Sequence, residues 1–418
     1  MFPHRNSNVF YGWNLSFLAS FGNFMIQGSS VFLLNAFIEP FQGLYGWSRG
    51  ELGTVLGIGS FCGMAAAPFL ASLAMKVSLR LIMTIGALLG GISLFMLAQF
   101  TSLTLFTLNF CLLWIAGQAC GGVVANALMS NWFVKHRGKA FGIVNCGMSL
   151  SGAVLPFVAL ILIKLFSVQM ASAILGTFLL VVLLPTTWFF VRDTPESMGL
   201  TPDGPPRTEQ ETSTEKLSPK PQATPPSIRE FLHNPLIYRI GIPFTLAIMA
   251  AAGVVGQLKP RFSDLGFDDF TAMTFMCITT LITAGGKYVW GSICDKISPL
   301  KTTKFFFLYC VGAYLLALLP PNLFTVSLFC VFCGLALGGA WTLLPAVVVS
   351  VFGRANFMAA YRVIVLFLFF KSLGYIIMGQ IYQFTGGYDA AYITFSIMFL
   401  VAFFILPSPS TTPCEEHP

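Results

Sequence analysis

The sequence predicts an all-α membrane protein with twelve transmembrane helices in two six-helix halves. Three observations lead there. First, the 418 residues are 56% hydrophobic and 9% charged, with a mean hydropathy of +0.79. Soluble globular chains carry about 25% charged residues. Second, the apolar residues fall into about twelve blocks, each near the roughly 20 residues that a bilayer-spanning helix needs. Third, the chain repeats itself. FCLLWIAGQACGGVVANALMSNWF and FCVFCGLALGGAWTLLPAVVVSVF both open with Phe-Cys and close with Phe. Their starts (Phe110, Phe329) and their ends (Phe133, Phe352) are separated by the same 219 residues. Likewise Met75-Lys-Val-Ser-Leu-Arg80 follows the second block as Asp295-Lys-Ile-Ser-Pro-Leu300 follows the eighth. A parallel repeat of this kind places its substrate site near the midplane, where the halves meet.

In order, spans are expected near 12–38, 49–74, 80–98, 104–132, 138–164 and 166–191. A second set is expected near 235–258, 269–294, 304–320, 323–350, 355–383 and 388–407. Ser48 and Glu51 have capping-box spacing at the start of the second span. Residues 193–226 hold eight prolines among charges and hydroxyls, which cannot build a packed core. The expected organisation is therefore an N-terminal half 1–192, a flexible cytoplasmic linker 193–226, and a C-terminal half 227–418 with a short tail. Ser227-Ile-Arg-Glu230 has cap spacing for a short interfacial helix before Pro235. The leading MFPHRNSNVFYGW is too polar and short for a cleaved signal, so the first span is expected to insert directly.

With the N-terminus inside, short inner segments carry Arg5, Lys76, Arg80, Lys135, Arg137, Lys139, Lys296, Lys301, Lys304 and Arg354. Outer loops carry Arg49, Lys164, Lys259 and Arg261. Ten against four places both termini in the cytoplasm, in a plasma membrane of the bacterial inner-membrane kind. The net charge of +7 then reflects loops on one side of a bilayer and not a nucleic-acid partner. Nine of the ten cysteines lie in or beside apolar blocks. Cys330-x-x-Cys333 has no second pair or histidine nearby, so it reads as helix packing and no metal is expected. The chain shows no Ser/His/Asp set and no glycine-rich phosphate loop, so neither enzyme chemistry nor a cofactor is expected.

These residues carry a resemblance. GSICDKISPLK resembles the G-x-x-x-D-[RK]-x-G-[RK] loop of the major facilitator superfamily, with Ser298 at the second glycine. The first-half copy, ASLAMKVSLR, has Met75 at the acidic position. WFVKHRGKAFGIVNCG is similar to the monocarboxylate-transporter signature at Phe133, Lys135, Arg137, Ala140, Gly142 and Gly147. AGGKYVWGSICDK resembles span 8 of the oxalate:formate antiporter branch, where an arginine occupies the Lys287 position. The resemblance implies a second cation from span 11, near Lys371, and a span-10 aromatic, Trp341, four residues before Pro345.

The residues themselves point the same way. Lys287 and Lys371 fall near mid-depth of their spans, where a lysine costs roughly 2.5–3.5 kcal/mol on insertion scales. Arg362 lies nearer the cytoplasmic end and has the length to snorkel. The sequence places no Asp, Glu or His near mid-depth of any span. An anionic substrate is the simplest neutraliser of the two lysines; lowered pKa values or snorkelling are the alternatives. Thr280, Thr283, Lys287 and Trp290 share one helical face, as do Phe367, Lys371 and Tyr375. Ser16, Ser20, Asn23, Gln27 and Ser30 form a polar stripe in span 1, and Asn145 and Ser149 a shorter one in span 5. Such stripes face either a cavity or a neighbouring helix. Trp341 and Phe367 likewise serve either the substrate or plain packing.

The expected protein is a secondary transporter of small mono- or dicarboxylates such as lactate, pyruvate, oxalate or formate. It is expected to work by exchange or facilitated transport, as a monomer in the lipid bilayer. Its substrate contacts are Lys287, Lys371, Asn23, Gln27, Asn145, Thr283, Trp341, Phe367 and Tyr375. Its cytoplasmic gate is Asp295, Lys296, Lys135 and Arg137. Proton-coupled symport is the first alternative, although Thr283 stands where the proton-coupled carriers that it resembles place an aspartate. A carrier of an unrelated solute, a drug or a sugar, is the second.

Overall fold

A computed structural model describes residues 10–133, 137–202 and 233–407; nothing is described of the side chains of 137–139, 295 and 354–359. Among the described residues, nine helices are long and apolar enough to cross a membrane. They are α1 (Tyr11–Tyr45), α2 (Arg49–Ala74), α4 (Leu103–Trp132), α5 (Ala140–Leu165), α6 (Val168–Phe190), α7 (Pro235–Gly256), α9 (Pro299–Leu318), α10 (Leu323–Gly353) and α11 (Ala360–Thr385). Two shorter apolar helices, α3 (Leu79–Phe95) and α12 (Asp389–Ile405), join them. The twelfth, α8 (Asp269–Lys296), is long but less apolar because it carries five threonines and Lys287. Its threonine hydroxyls return to backbone carbonyls of the preceding turn, as Thr279 does to Phe275 at 2.7 Å and Thr283 to Thr279 at 2.9 Å. That satisfies them where no water is at hand.

Local chemistry sets the helix starts. Ser48 and Glu51 form the expected reciprocal cap: Ser48 N donates to Glu51 Oε2 at 2.7 Å, and Glu51 N to Ser48 Oγ at 3.1 Å. Asn234 accepts from Leu236 N at 2.9 Å with Pro235 in the first turn of α7. α9 begins at Pro299, five residues before the expected start, because a proline needs no hydrogen bond at that position. Only Ile297 and Ser298 therefore separate α8 from α9. α1 runs to Tyr45, beyond the expected 38, because Phe37, Phe41 and Tyr45 stack along one face toward Trp47. Residues 193–202, expected as linker, include a 3-10 turn at Pro195–Met198. Asp193 Oδ1 there accepts from Arg80 N at 2.9 Å, and Leu200 packs on the cluster around Trp132 and Phe133. The Ser227–Glu230 cap lies outside the described residues.

Contacts divide the chain into two compact units. Unit 1 is Met1–Leu33 with Cys62–Pro221, and unit 2 is Leu34–Phe61 with Gln222–Pro418. In unit 1, α1 departs from α-helical pairing over Asn23–Gln27 and Ser29–Leu33, which are π-helical. α4 breaks at Gly121 and Gly122, the latter at φ 37°. In unit 2, α8 and α10 cross on small residues. A Cβ at Gly338 would lie 2.6 Å from Thr283 O and 2.8 Å from Lys287 N. A 3-10 turn, Leu368–Ser372, interrupts α11.

Candidate functional site

Lys371 sits in that 3-10 turn, near the middle of α11, and its ammonium lies 5.5 Å from the ring centroid of Trp341 on α10. The two residues that the resemblance singled out are thus brought together. Trp341 is 43% exposed and Lys371 is half-buried. An ammonium at this distance from an indole face is attracted by the ring quadrupole, which offsets part of its cost away from water. Lys287 is half-buried on α8, and its backbone is at the Gly338 crossing one helical turn from Trp341. Thr283 spends its hydroxyl on Thr279 O.

Other residues on these faces do structural work. Trp290 is 3% exposed, donates to Leu335 O at 2.9 Å and packs 5.0 Å from Phe306. Phe367 packs edge-on to Tyr238 at 5.4 Å and lies against Gly241 of α7. Tyr375 is 4% exposed and fills the space over Gly256. Arg362 is exposed.

In unit 1, Asn23 holds three helices together. Its Oδ1 accepts from Gly122 N at 2.9 Å, at the break in α4, and its Nδ2 donates to Val144 O of α5 at 2.9 Å. The amide therefore replaces backbone bonds that the break gives up. Gln27 is 7% exposed and packs against Gly117, with its Oε1 buried and, among the described residues, without a hydrogen-bond partner. Asn145 is exposed and donates to Phe141 O of its own helix at 2.8 Å. Of the expected cytoplasmic gate, Lys296 is exposed at the end of α8. Lys135 and the side chains of Arg137 and Asp295 lie outside the described residues.

A second constellation, not expected from the sequence, closes the end of unit 2 that carries the α1–α2 turn. Arg49 grips both oxygens of Asp264, Nη2 to Oδ1 at 2.7 Å. Its Nη1 also donates to Tyr388 at 2.9 Å, and its guanidinium lies 4.4 Å over the Tyr382 ring. Tyr388 donates onward to Gln257 Oε1 at 2.9 Å, and Gln257 Nε2 returns to Arg49 O at 3.2 Å. Burial, the larger effect, holds the Tyr388 phenol above its ordinary pKa, so it stays a donor. Beside it Lys259, 1% exposed, pairs with Glu39 of α1 and with Asp269 at 2.9 Å. Asn35 ties the same end to Val255 O at 3.0 Å. Below these, Gly53 and Gly57 let α2 meet α11: a Cβ at Gly53 would lie 2.8 Å from Tyr375 O.

A twelve-helix chain with a mid-span cation and a closed helical end matches a known family. The model of the Major Facilitator Superfamily matches residues 15–370. The chain belongs to the Major Facilitator Superfamily. It is accordingly a multi-pass membrane transporter. No curated protein matches it. Two solved structures of a bacterial homolog of the human lysosomal transporter Spinster share the superfamily fold. Its inward-facing, unoccupied form has a TM-score of 0.75 at 14% identity, covering 96% of this chain and 97% of that one. Its inward-facing, occupied form gives 0.72 at 14% identity, with the same coverages of 96% and 97%.

Within this superfamily member, sequence reasoning found the lysines because a charge deep in an apolar run stands out. It passed over Arg49, Lys259 and Arg261 because they border spans, where charges are routine. A signal was available: Glu39, Asp264, Asp268 and Asp269 crowd the same span borders, so opposite charges are concentrated there.

Proposed function

We propose that this transporter carries small organic anions, mono- or dicarboxylates, by alternating access, with Lys371 as the carboxylate anchor. The observation that carries the reading is the Lys371 ammonium 5.5 Å from the Trp341 ring, at the 3-10 interruption of α11. A distorted turn of helix at mid-span frees local backbone and fixes the lysine in one direction. A carboxylate substrate would bring negative charge against this ammonium and offset the cost of a charge at mid-span. Lys287 and Thr283 on α8 complete the cationic face, with Trp341 as its wall. Asn23 and Asn145 are left out of this reading because their amides already bond backbone. Phe367 and Tyr375 are assigned to packing.

The Arg49–Asp264 and Lys259–Glu39–Asp269 contacts support an outer end that is shut, with both termini in the cytoplasm. The Spinster homolog's inward-facing form is consistent with that state. Exchange of one carboxylate for another fits a site that holds its substrate through cations.

Counterflow in proteoliposomes tests this. Vesicles loaded with unlabelled oxalate, lactate, pyruvate or formate are given labelled carboxylate outside. Uptake that requires internal carboxylate and falls in Lys371→Gln is the expected result. Uptake that follows an imposed pH gradient instead moves the protein to proton-coupled symport. Normal transport by Lys371→Gln removes the anion reading and leaves a carrier of another solute.

A further inference from the structure

In each repeat the third helix packs on the sixth, and each pairing sets a cation over a ring where the third begins and the sixth ends. In unit 1, Arg80 at the start of α3 lays its guanidinium 5.1 Å over the ring of Trp188, two residues before the end of α6. In unit 2, the ammonium of Lys304, near the start of α9, lies 5.4 Å over Phe403, two residues before the end of α12. The recurrence ties the arrangement to the helix pair and not to one loop.

The unit 1 pair lies at the margin of a lipid-facing surface. Phe178, Val181, Trp188 and Phe189 share one face of α6 and are all exposed, Trp188 by 45% and Phe189 by 65%. Among the described residues the Arg80 guanidinium makes no ion pair, and the bonds recorded for Arg80 are those of its backbone. Its N donates to Asp193 Oδ1 at 2.9 Å, and its O accepts from Thr84 Oγ1 at 2.7 Å. Asp193 lies past the end of α6 and serves the Arg80 backbone, whereas the guanidinium is drawn back alongside Trp188, within α6. Arg192 adds a second guanidinium beyond the same helix end, where it donates to Val191 O at 3.1 Å.

An indole face holds the flat side of a guanidinium and leaves its in-plane N–H groups for a forked acceptor, which a phosphate is. At the end of an apolar face exposed to lipid, the phosphate at hand belongs to a phospholipid headgroup. A zwitterionic headgroup would bring its own ammonium beside Arg80 and Arg192, so a net-negative one is favoured. We propose that Arg80 and Trp188 form a binding site for an anionic phospholipid, with its phosphate on the edge of the guanidinium and its acyl chains along the exposed face of α6. The site is separate from Lys371 and does not rest on the transport reading.

Native mass spectrometry of the purified full-length protein, titrated with phosphatidylglycerol or phosphatidylcholine, tests the site by counting bound lipids. The wild type is expected to retain phosphatidylglycerol at concentrations where phosphatidylcholine is lost. Arg80→Gln is expected to hold one phosphatidylglycerol fewer, that lipid binding roughly tenfold more weakly without the charge-assisted pair. Trp188→Leu keeps an apolar surface and is expected to weaken the same lipid roughly threefold, by loss of the cation–π contact. It gives the reading even where Arg80→Gln disturbs the start of α3. Lys301→Gln removes an equal charge from an exposed position on α9 and is expected to bind lipid as the wild type does. Equal affinity for the two lipids, or a preference that both the Arg80 and Trp188 variants retain, overturns the site. An equal loss in Lys301→Gln also overturns it, by reducing the preference to net charge. Displacement of the lipid by an equal concentration of glycerol phosphate overturns it as well, by assigning the guanidinium to a soluble phosphate.

Discussion

The two repeats place different chemistry at matching positions. Trp341 and Lys371 stand 219 residues after Gly122 and Gly152. In unit 2 these positions hold an indole and an ammonium 5.5 Å apart. In unit 1 the same positions are a helix break stitched by Asn23 and a glycine whose missing Cβ makes room for Phe32 at 3.0 Å. One copy of the repeat has become packing and the other has kept a cation. A repeated backbone therefore fixes where a site can be, while side chains decide which copy carries it.

Exchanging the two characters gives the largest expected effect. Gly152→Lys forces a charge and a long side chain against Phe32, and the protein is expected not to accumulate in folded form, as size-exclusion chromatography would show. The reciprocal change, Lys371→Gln, is expected to fold normally and lose transport by roughly a hundredfold in counterflow, because the anchor charge is gone while its volume remains. Folded Gly152→Lys protein, or an unstable Lys371→Gln, would break the comparison.

Helix crossings sharpen it. Gly338→Ala puts a Cβ 2.6 Å from Thr283 O at the α8–α10 crossing, and a loss of about 1–3 kcal/mol is expected from the melting transition. Gly142→Ala on α5 meets nothing within 4 Å and is expected to leave melting unchanged. Equal effects at the two sites would remove the distinction between a tight and an open glycine.

The closed end responds next. Arg49→Gln removes the grip on Asp264, and about 1–2 kcal/mol is expected. The figure is below that of a fully buried pair because Asp264 is 32% exposed. Labelling of Ser60→Cys, buried beside Ser372 at 3.1 Å, should then quicken roughly fivefold to thirtyfold. An unchanged labelling rate would mean that the aromatic and glycine contacts hold this end without the ion pair.

The smallest expected effect is a pH response at the start of α8. Asp268 accepts from Thr271 Oγ1 at 2.6 Å and from Phe270 N at 3.1 Å. The hydrogen bonds from Thr271 chiefly hold its carboxyl below the ordinary value. A lowered folded-state pKa contributes stability above the unfolded value and loses it as pH falls through the folded one. Hydrogen exchange over residues 268–273 should therefore speed up below about pH 4, and Asp268→Ala should show fast exchange at neutral pH as well.

Much of the fold is legible in order along the chain. Eleven apolar runs and one threonine-rich run become twelve helices because spanning a bilayer is a condition of length and polarity, readable locally. The Ser48–Glu51 cap is equally local. The lysines were legible as anomalies, and Trp341 through resemblance. Residues 193–202 were not, since proline and charge suggested a loose linker while Asp193 in fact caps the start of α3.

The sequence by itself determined the class, the span positions and the presence of cations at depth, all set by how single segments partition between water and lipid. Only the tertiary structure decided which polar groups face which. Asn23 lies across a break in α4, 99 residues away, and Arg49 meets an acid 215 residues on. Such partners follow from helix packing, which brings together residues whose spacing in the chain carries no periodic signal.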